Sequence, residues 1–224
     1  MKAILITGAG SGLGKELAIL FSQTNQHILL MGRSQDKLQS VKTEIEQNGG
    51  RADVIQADIR SFQEVSDKVK KISEHYTLTG LVNNAGIGYF GPFEKMEESE
   101  IIEMTDTNIL GTVFMTKAVL STFEQQKSGH IINIISTAGL RGKVNEAVYV
   151  ASKFAVRGFT ESLQKEYENS DIKFTAVYMG GMDTPFWENS DHIKDPSRLR
   201  SPKEVAEIIF SQLNEESIVI ENQK

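Results

Sequence analysis

The sequence predicts an α/β fold in one domain, a parallel sheet flanked by helices. Three observations lead there. Short apolar runs alternate with longer stretches of helical periodicity along the whole chain. The runs are too apolar to alternate between core and solvent, as strands buried on both faces are. The length, 224 residues of which 39% are hydrophobic, suits one domain with a full-sized core.

The elements follow in order. Ala3 to Thr7 is the first strand, and Gly12 to about Thr24 a helix with Leu13, Leu17, Leu20 and Phe21 on one face. His27 to Met31 is the second strand, and Ser34 to Asn48 a helix closed by Gly49-Gly50. Ala52 to Gln56 and Ser61 to His75 form the next strand–helix unit. Leu81 to Asn84 is a fourth strand, followed by one long helix from Ser99 to about Gln126. Ile131 to Ser136 reads as a strand, Ala147 to Ser170 as a helix, and Ile172 to Tyr178 as a strand. Pro202, at a first turn, opens a last helix to Asn214, and Ile218 to Ile220 is a seventh strand. The longest loop-like stretch runs from Gly180 to Ser201.

The composition narrows the function classes. Twenty-four basic and 30 acidic residues give a net charge of −6, and no basic stripe stands out, so no nucleic-acid partner is expected. The chain has no cysteine, which excludes disulfides and thiolate metal sites and is compatible with a cytoplasmic setting. No pair among its four histidines shows metal-ligand spacing with a carboxylate, so no metal is expected. No apolar stretch approaches the ~20 residues that span a bilayer. The run after Met1 is too short for a signal-peptide core and leads straight into glycines.

Two motifs carry chemistry. Gly8, Gly12 and Gly14 form a G-x-x-x-G-x-G loop between the first strand and first helix. Glycines there let the backbone approach a pyrophosphate, which rests at the positive end of the helix. Tyr149 and Lys153 are four positions apart, about one helical turn, so their side chains share a face. A positive charge beside a phenol favours its ionised form and lowers its pKa from about 10. Ser136, upstream at the end of an apolar run, could hold a carbonyl or alcohol oxygen. The set suits proton exchange with an oxygen while hydride moves to or from its carbon.

With Thr7 to Gly14, Asn83-Asn84-Ala85-Gly86, Ser136 and Tyr149-x-x-x-Lys153 in this order and spacing, the chain resembles the short-chain dehydrogenases/reductases from Lys2 to about Asn222. The resemblance implies a Rossmann-like, doubly wound, mostly parallel seven-stranded sheet in the order 3-2-1-4-5-6-7. It implies Tyr149 as general acid and base and Lys153 as holder of the nicotinamide ribose. Ser136 would polarise the substrate oxygen, and Asn108 would complete a proton relay through water to the lysine. Gly8, Ser11, Gly12, Leu13 and Gly14 would line the cofactor, as would Asn84, Ala85 and Gly86. Asp58, with Ile59 beside it, would meet the adenine amino group, the alternative for Asp58 being a helix cap for which Ser61 competes. Past the sixth strand, Met179 stands where the family has proline; Gly180, Met182 and Thr184 would still reach the cofactor, with the rigidity of that loop in question. Gly32 occupies the place of the carboxylate that selects NAD, and Arg33 follows it, so the cofactor expected is NADP(H).

The other residues weigh less. His192 reads as a solvated loop histidine. Phe186 and Trp187 form either a hydrophobic substrate wall or simple lid packing within the 180–201 loop. The glutamates of 94–103 read as a solvated helix face, and Lys194, Arg198, Arg200 and Lys203 as a loose solvated basic group. The leading function is interconversion of a small carbonyl and a secondary alcohol. Alternatives are a 3-oxoacyl-thioester reductase, against which the short ending after Ile220 argues, and a non-catalytic NADP(H)-sensing module, against which the complete catalytic set argues. A homodimer or homotetramer is expected from the helices around 108–126 and Tyr149. The loops at 88–93, 140–145 and 186–200 should set specificity, and their composition does not name the substrate.

Overall fold

The computed structural model describes residues 1–188, 190, 192–193 and 195–222. Its sheet has seven strands in the order 3-2-1-4-5-6-7, and every neighbouring pair is parallel. The strands are β1 Lys2–Thr7, β2 His27–Gly32, β3 Arg51–Gln56, β4 Thr77–Asn83, β5 Gly129–Ile134, β6 Ile172–Met179 and β7 Ser217–Ile220. The helices are α1 Gly12–Ser22, α2 Gln35–Gln47, α3 Phe62–His75, α4 Glu98–Met104, α5 Thr112–Gln126, α6 Ala147–Glu166 and α7 Pro202–Ser211.

Alternation along each strand divides the core in two, because successive side chains leave a sheet on opposite faces. Ile4, Ile6, Ile28 and Leu30 pack under α1, α2 and α7 with Leu17, Phe21, Ile45 and Ile209. Ala3, Leu5, Leu29 and Met31 pack under α3, α5 and α6 with Val69, Val119, Phe123 and Leu163. The strand order reverses between β1 and β4, so the loops leaving their carboxyl ends diverge and open a crevice.

Three elements depart from the expected ones. The fourth strand begins at Thr77, four residues before Leu81, and pairs with β1 from Lys2 onward through a register shift after Ala3. Thr79 and Gly80 broke the apolar run in the sequence, but Thr79 donates its hydroxyl to the Ala3 carbonyl at 3.1 Å. The fifth strand ends at Ile134, and Ser136 lies beyond it on a short turn.

The expected long helix is interrupted. Between α4 and α5, Thr105–Gly111 forms a π-helical turn. Its cause is Asn108, whose side chain is drawn inward to Ile87 and Ser152, while the Asn108 carbonyl accepts from Thr112 Oγ1 at 2.9 Å. Gly111 lets the turn lie against Ile59, whose Cδ1 would be 2.5 Å from any Cβ there. Such bulges cluster at functional sites.

Candidate active site

The carboxyl ends of β1, β2, β3, β4, β5 and β6 open onto one cleft of about 670 Å³. Gly8, Ser11, Gly12, Leu13, Arg33, Asp58, Ile59, Asn84, Ala85, Gly86, Ser136, Tyr149, Lys153, Gly180, Met182 and Thr184 all line it. Gly14 and Asn108 stand behind that lining.

The glycine loop is close-packed. A Cβ on Gly14 would sit 2.4 Å from the Gly8 carbonyl oxygen and 2.5 Å from Asn84 Nδ2, so Gly14 serves by letting the helix approach the turn. Gly8 takes φ +62° and backs onto the Ala85 Cα. Asn84 Nδ2 donates to the carbonyls of Thr7 and Gly8, and the Thr7 hydroxyl accepts from the Asn84 and Ala85 amides. The loops after β1 and β4 are thereby held at one separation. Ser11 precedes α1 without a side-chain cap, leaving first-turn amides available to an anion.

Beneath the cleft, Asn83 Nδ2 donates to Asn133 Oδ1 and Thr116 Oγ1, and Asn133 Nδ2 donates to Thr160 Oγ1. This buried chain joins β4, β5, α5 and α6. Asn108 Oδ1 accepts from the Ile87 amide at 2.9 Å, and its Nδ2 donates to the Ile87 carbonyl and to Ser152 Oγ. Ser152 Oγ in turn donates to the Tyr149 carbonyl at 2.7 Å. Asn108 thus ties the loop after β4 to the first turns of α6.

Tyr149 and Lys153 stand on α6, and each is only 6% exposed. Lys153 Nζ lies 5.6 Å from the tyrosine ring centroid and donates to the Ile134 carbonyl at 3.2 Å. A Cβ on Gly86 would fall 3.3 Å from Asn108 Oδ1 and 3.6 Å from Lys153 Nζ, so that glycine opens space between them. Ser136 has φ +130° and ψ 153°, a conformation that costs a non-glycine residue about 1–3 kcal/mol. Its neighbours impose it: the Ile135 amide is fixed to Val177, the Gly139 amide bonds the Ser136 carbonyl, and the Ala138 amide bonds Ser136 Oγ.

The electrostatics correct one expectation. Burial pushes the Tyr149 phenol well above its ordinary value, the Ser136 hydroxyl draws it back down, and the Glu146 carboxylate adds to the rise. Burial also depresses Lys153, to about 8. Desolvation, and not the charge of the lysine, sets the balance at the phenol, because both groups are buried together.

At the end of the cleft beyond β2, Arg33 is 59% exposed at its side chain, with Glu103 Oε1 at 3.8 Å. Lys37 and Arg60, which the sequence reading passed over, line the same end. Arg60 grips Asp58 through both carboxylate oxygens and holds its pKa below the ordinary carboxylate value. The helix cap belongs to Ser61, which accepts from the Glu64 amide. Glu103 is no solvated member of the acidic stretch: it accepts from the Tyr89 hydroxyl at 2.7 Å and faces Arg60. Thr107 Oγ1 is buried at the cleft without a partner among the described residues.

The loop after β6 is pinned, with Gly180 N bonded to the Ile220 carbonyl, Asp183 N to the Arg200 carbonyl, and Trp187 Nε1 to the Met182 carbonyl. Thr184 packs on Gly12. His192 is not solvated: its ring stacks on Phe90 at 4.7 Å, and Nε2 pairs with Glu146 Oε1 at 3.0 Å. Arg200 is likewise engaged, with Glu204 and the Glu221 carbonyl. Lys194 lies outside the described residues, as do 189 and 191 of the expected lid.

The profile of the short chain dehydrogenase family matches residues 2–195. A protein named sepiapterin reductase, from Chlorobaculum tepidum, is 30% identical over 97% of this chain and 93% of its own length. An uncharacterized oxidoreductase of Staphylococcus aureus strain N315 is 32% identical over 96% and 91%. Among solved structures, an actinorhodin polyketide ketoreductase with NADPH superposes with a TM-score of 0.89, at 27% identity over 98% of this chain and 95% of that one. An alcohol dehydrogenase from Thermococcus sibiricus, complexed with 5-hydroxy-NADP, gives 0.87 at 26% identity over 100% and 96%. The chain belongs to the short-chain dehydrogenase/reductase family of oxidoreductases.

Proposed function

We propose that this protein is an NADP(H)-dependent oxidoreductase that interconverts a carbonyl and a secondary alcohol, with Tyr149 as general acid and base. The observation that carries the reading is one cleft holding the glycine turn at one end and Ser136, Tyr149 and Lys153 at the other. The residues suit such a cofactor: a close-packed turn before an uncapped helix for the pyrophosphate, an orphaned Thr107 hydroxyl, and a buried ammonium with one carbonyl partner. Arg33, Lys37 and Arg60 offer three cationic side chains for a 2′-phosphate. Solved relatives bound to NADPH and an NADP derivative support the same choice.

The cofactor would supply or accept the hydride. In reduction, Ser136 donates a hydrogen bond to the substrate oxygen and Tyr149 gives it the proton. Lys153 would hold the ribose hydroxyls and, as a cation beside the ring, would stabilise the phenolate that forms. Asn108 fixes the loop carrying Gly86 and Ile87 and is the polar group next in line toward Lys153. The assembly expected is a homodimer or homotetramer, for which half-exposed Leu110 and Phe154 offer apolar contact; light scattering reads it.

The test is a panel of carbonyls and alcohols, 3-oxoacyl thioesters included, followed by NADPH absorbance. Tyr149→Phe should lower kcat by about 10²–10⁴ while NADPH affinity is unchanged. Wild-type turnover in that variant, or no binding of either nicotinamide coenzyme, would remove this function.

A further inference from the structure

Glu146 is a carboxylate in an unexpected place. It occupies the residue before α6, three positions ahead of Tyr149. It lines the cleft yet is only 6% exposed. Burying a carboxylate is costly unless its oxygens are paired. Oε1 is paired, with His192 Nε2 at 3.0 Å. Oε2 has only Lys143 Nζ, 3.9 Å away and beyond hydrogen-bond reach, among the described residues. One acceptor oxygen of this cleft-lining residue therefore has no donor within hydrogen-bond reach among the described residues.

Flat rings cluster beside Glu146, Phe186 and Trp187 on the cleft wall with Phe90 and His192 packed against them. Phe90 stacks on Trp187 at 5.0 Å and on His192 at 4.7 Å, and Phe90 and Phe186 stand 5.4 and 5.9 Å from the Tyr149 ring. Phe186 and Trp187 line the cleft themselves. A planar group would slide along such walls without a fixed orientation unless a polar group pinned it.

We propose that Glu146 determines specificity: it accepts a hydrogen bond from an N–H or O–H on the substrate, so that the enzyme takes planar carbonyl compounds bearing such a donor a few ångströms from the carbonyl. This rests on the oxidoreductase reading above and names its substrate class. Loss of the donor strands a buried anion, and for that reason the analogue lacking it is rejected.

The chain's single tryptophan is Trp187, inside this wall, so its fluorescence reports binding without turnover. The probes are meta-aminoacetophenone and its isostere meta-methylacetophenone, titrated into the NADP⁺-loaded protein. The wild type should bind the amino compound about tenfold or more tightly than the methyl one, the scale of one hydrogen bond to a charged group. Glu146→Leu should bring the two affinities together, and Glu146→Gln, which keeps the shape, should narrow the gap. His192→Ala should keep the preference, which a mere lid-latching role for Glu146 would not allow. No preference in the wild type, no binding of either compound, or a preference untouched by both Glu146 variants overturns the proposal. Turnover of the same two ketones is read separately. Preferential binding without turnover upholds the Glu146 contact and counts against the oxidoreductase reading, which the wider panel decides, and turnover without preference overturns only this proposal.

Discussion

Lys153→Met should stabilise the free protein at neutral pH while removing its activity. The lysine is depressed from 10.5 to about 8 by burial, a gap of about 2.5 units. At 1.36 kcal/mol per unit this is about 3 kcal/mol of penalty for holding the charged form. The sign follows from proton binding: between the two values the unfolded chain binds more protons, so stability rises with pH. The penalty is full below about pH 8 and gone above about 10.5. Methionine fills a similar volume without it, but forfeits the bond to Ile134, worth about 1 kcal/mol. The variant should be more stable by about 2 kcal/mol at pH 7, roughly 4–8 °C in Tm for a chain of this size, and less stable by about 1 kcal/mol above pH 10.5. Thermal melts from pH 6 to 11, without coenzyme, measure the crossing. A stability difference that does not change with pH, or a variant weaker at pH 7, would refute the account of a charge strained by burial.

Arg33→Ala should lower kcat/KM with NADPH by about 10–100-fold and leave NADH nearly untouched; an unchanged ratio of the two counts against a 2′-phosphate contact. Gly14→Ala places a methyl against the Gly8 carbonyl and Asn84, neither able to yield cheaply, and should cost about 1–3 kcal/mol and weaken NADPH binding at least tenfold. Melting and coenzyme titration read both effects, and a wild-type result in either shows a looser loop. Asp53 is held below its ordinary value by Tyr76, Lys42 and His27. Its folded pKa is depressed, so its contribution is present above about pH 4 and fades as pH falls through the lowered value. Asp53→Asn should therefore lose about 1 kcal/mol at pH 7, after discount for a part-exposed group, and nothing in strong acid. Denaturant titrations at the two pH values decide it.

Much of the molecule was legible because the relevant signals are local. Ala3 to Thr7 followed by Gly8, Gly12 and Gly14 reads as strand, turn and helix from adjacent residues alone. Tyr149 and Lys153 are one turn apart, so their partnership needs no tertiary knowledge. The π turn at Thr105–Gly111 was not legible, since only the pull of Ile87 and Ser152 on Asn108 reveals it. Nor was the strain at Ser136, which read as the end of a strand. Arg60 carried no reading, and Glu103 read as part of a solvated face because its partner Tyr89 is near it in space and carries no pattern in sequence. A basic residue two positions after Asp58 was the one available hint.

By itself the sequence determined the sheet, its flanking helices and the one-turn spacing of Tyr149 and Lys153. Hydrophobic period and short spacings act within a few residues, and a chain cannot conceal them. The tertiary structure decided the protonation balance at Tyr149 and Lys153, the cationic end around Arg33, and the meeting of Glu146 with His192. Each depends on burial or on contacts between residues distant along the chain, and desolvation belongs to the folded interior rather than to any segment of it.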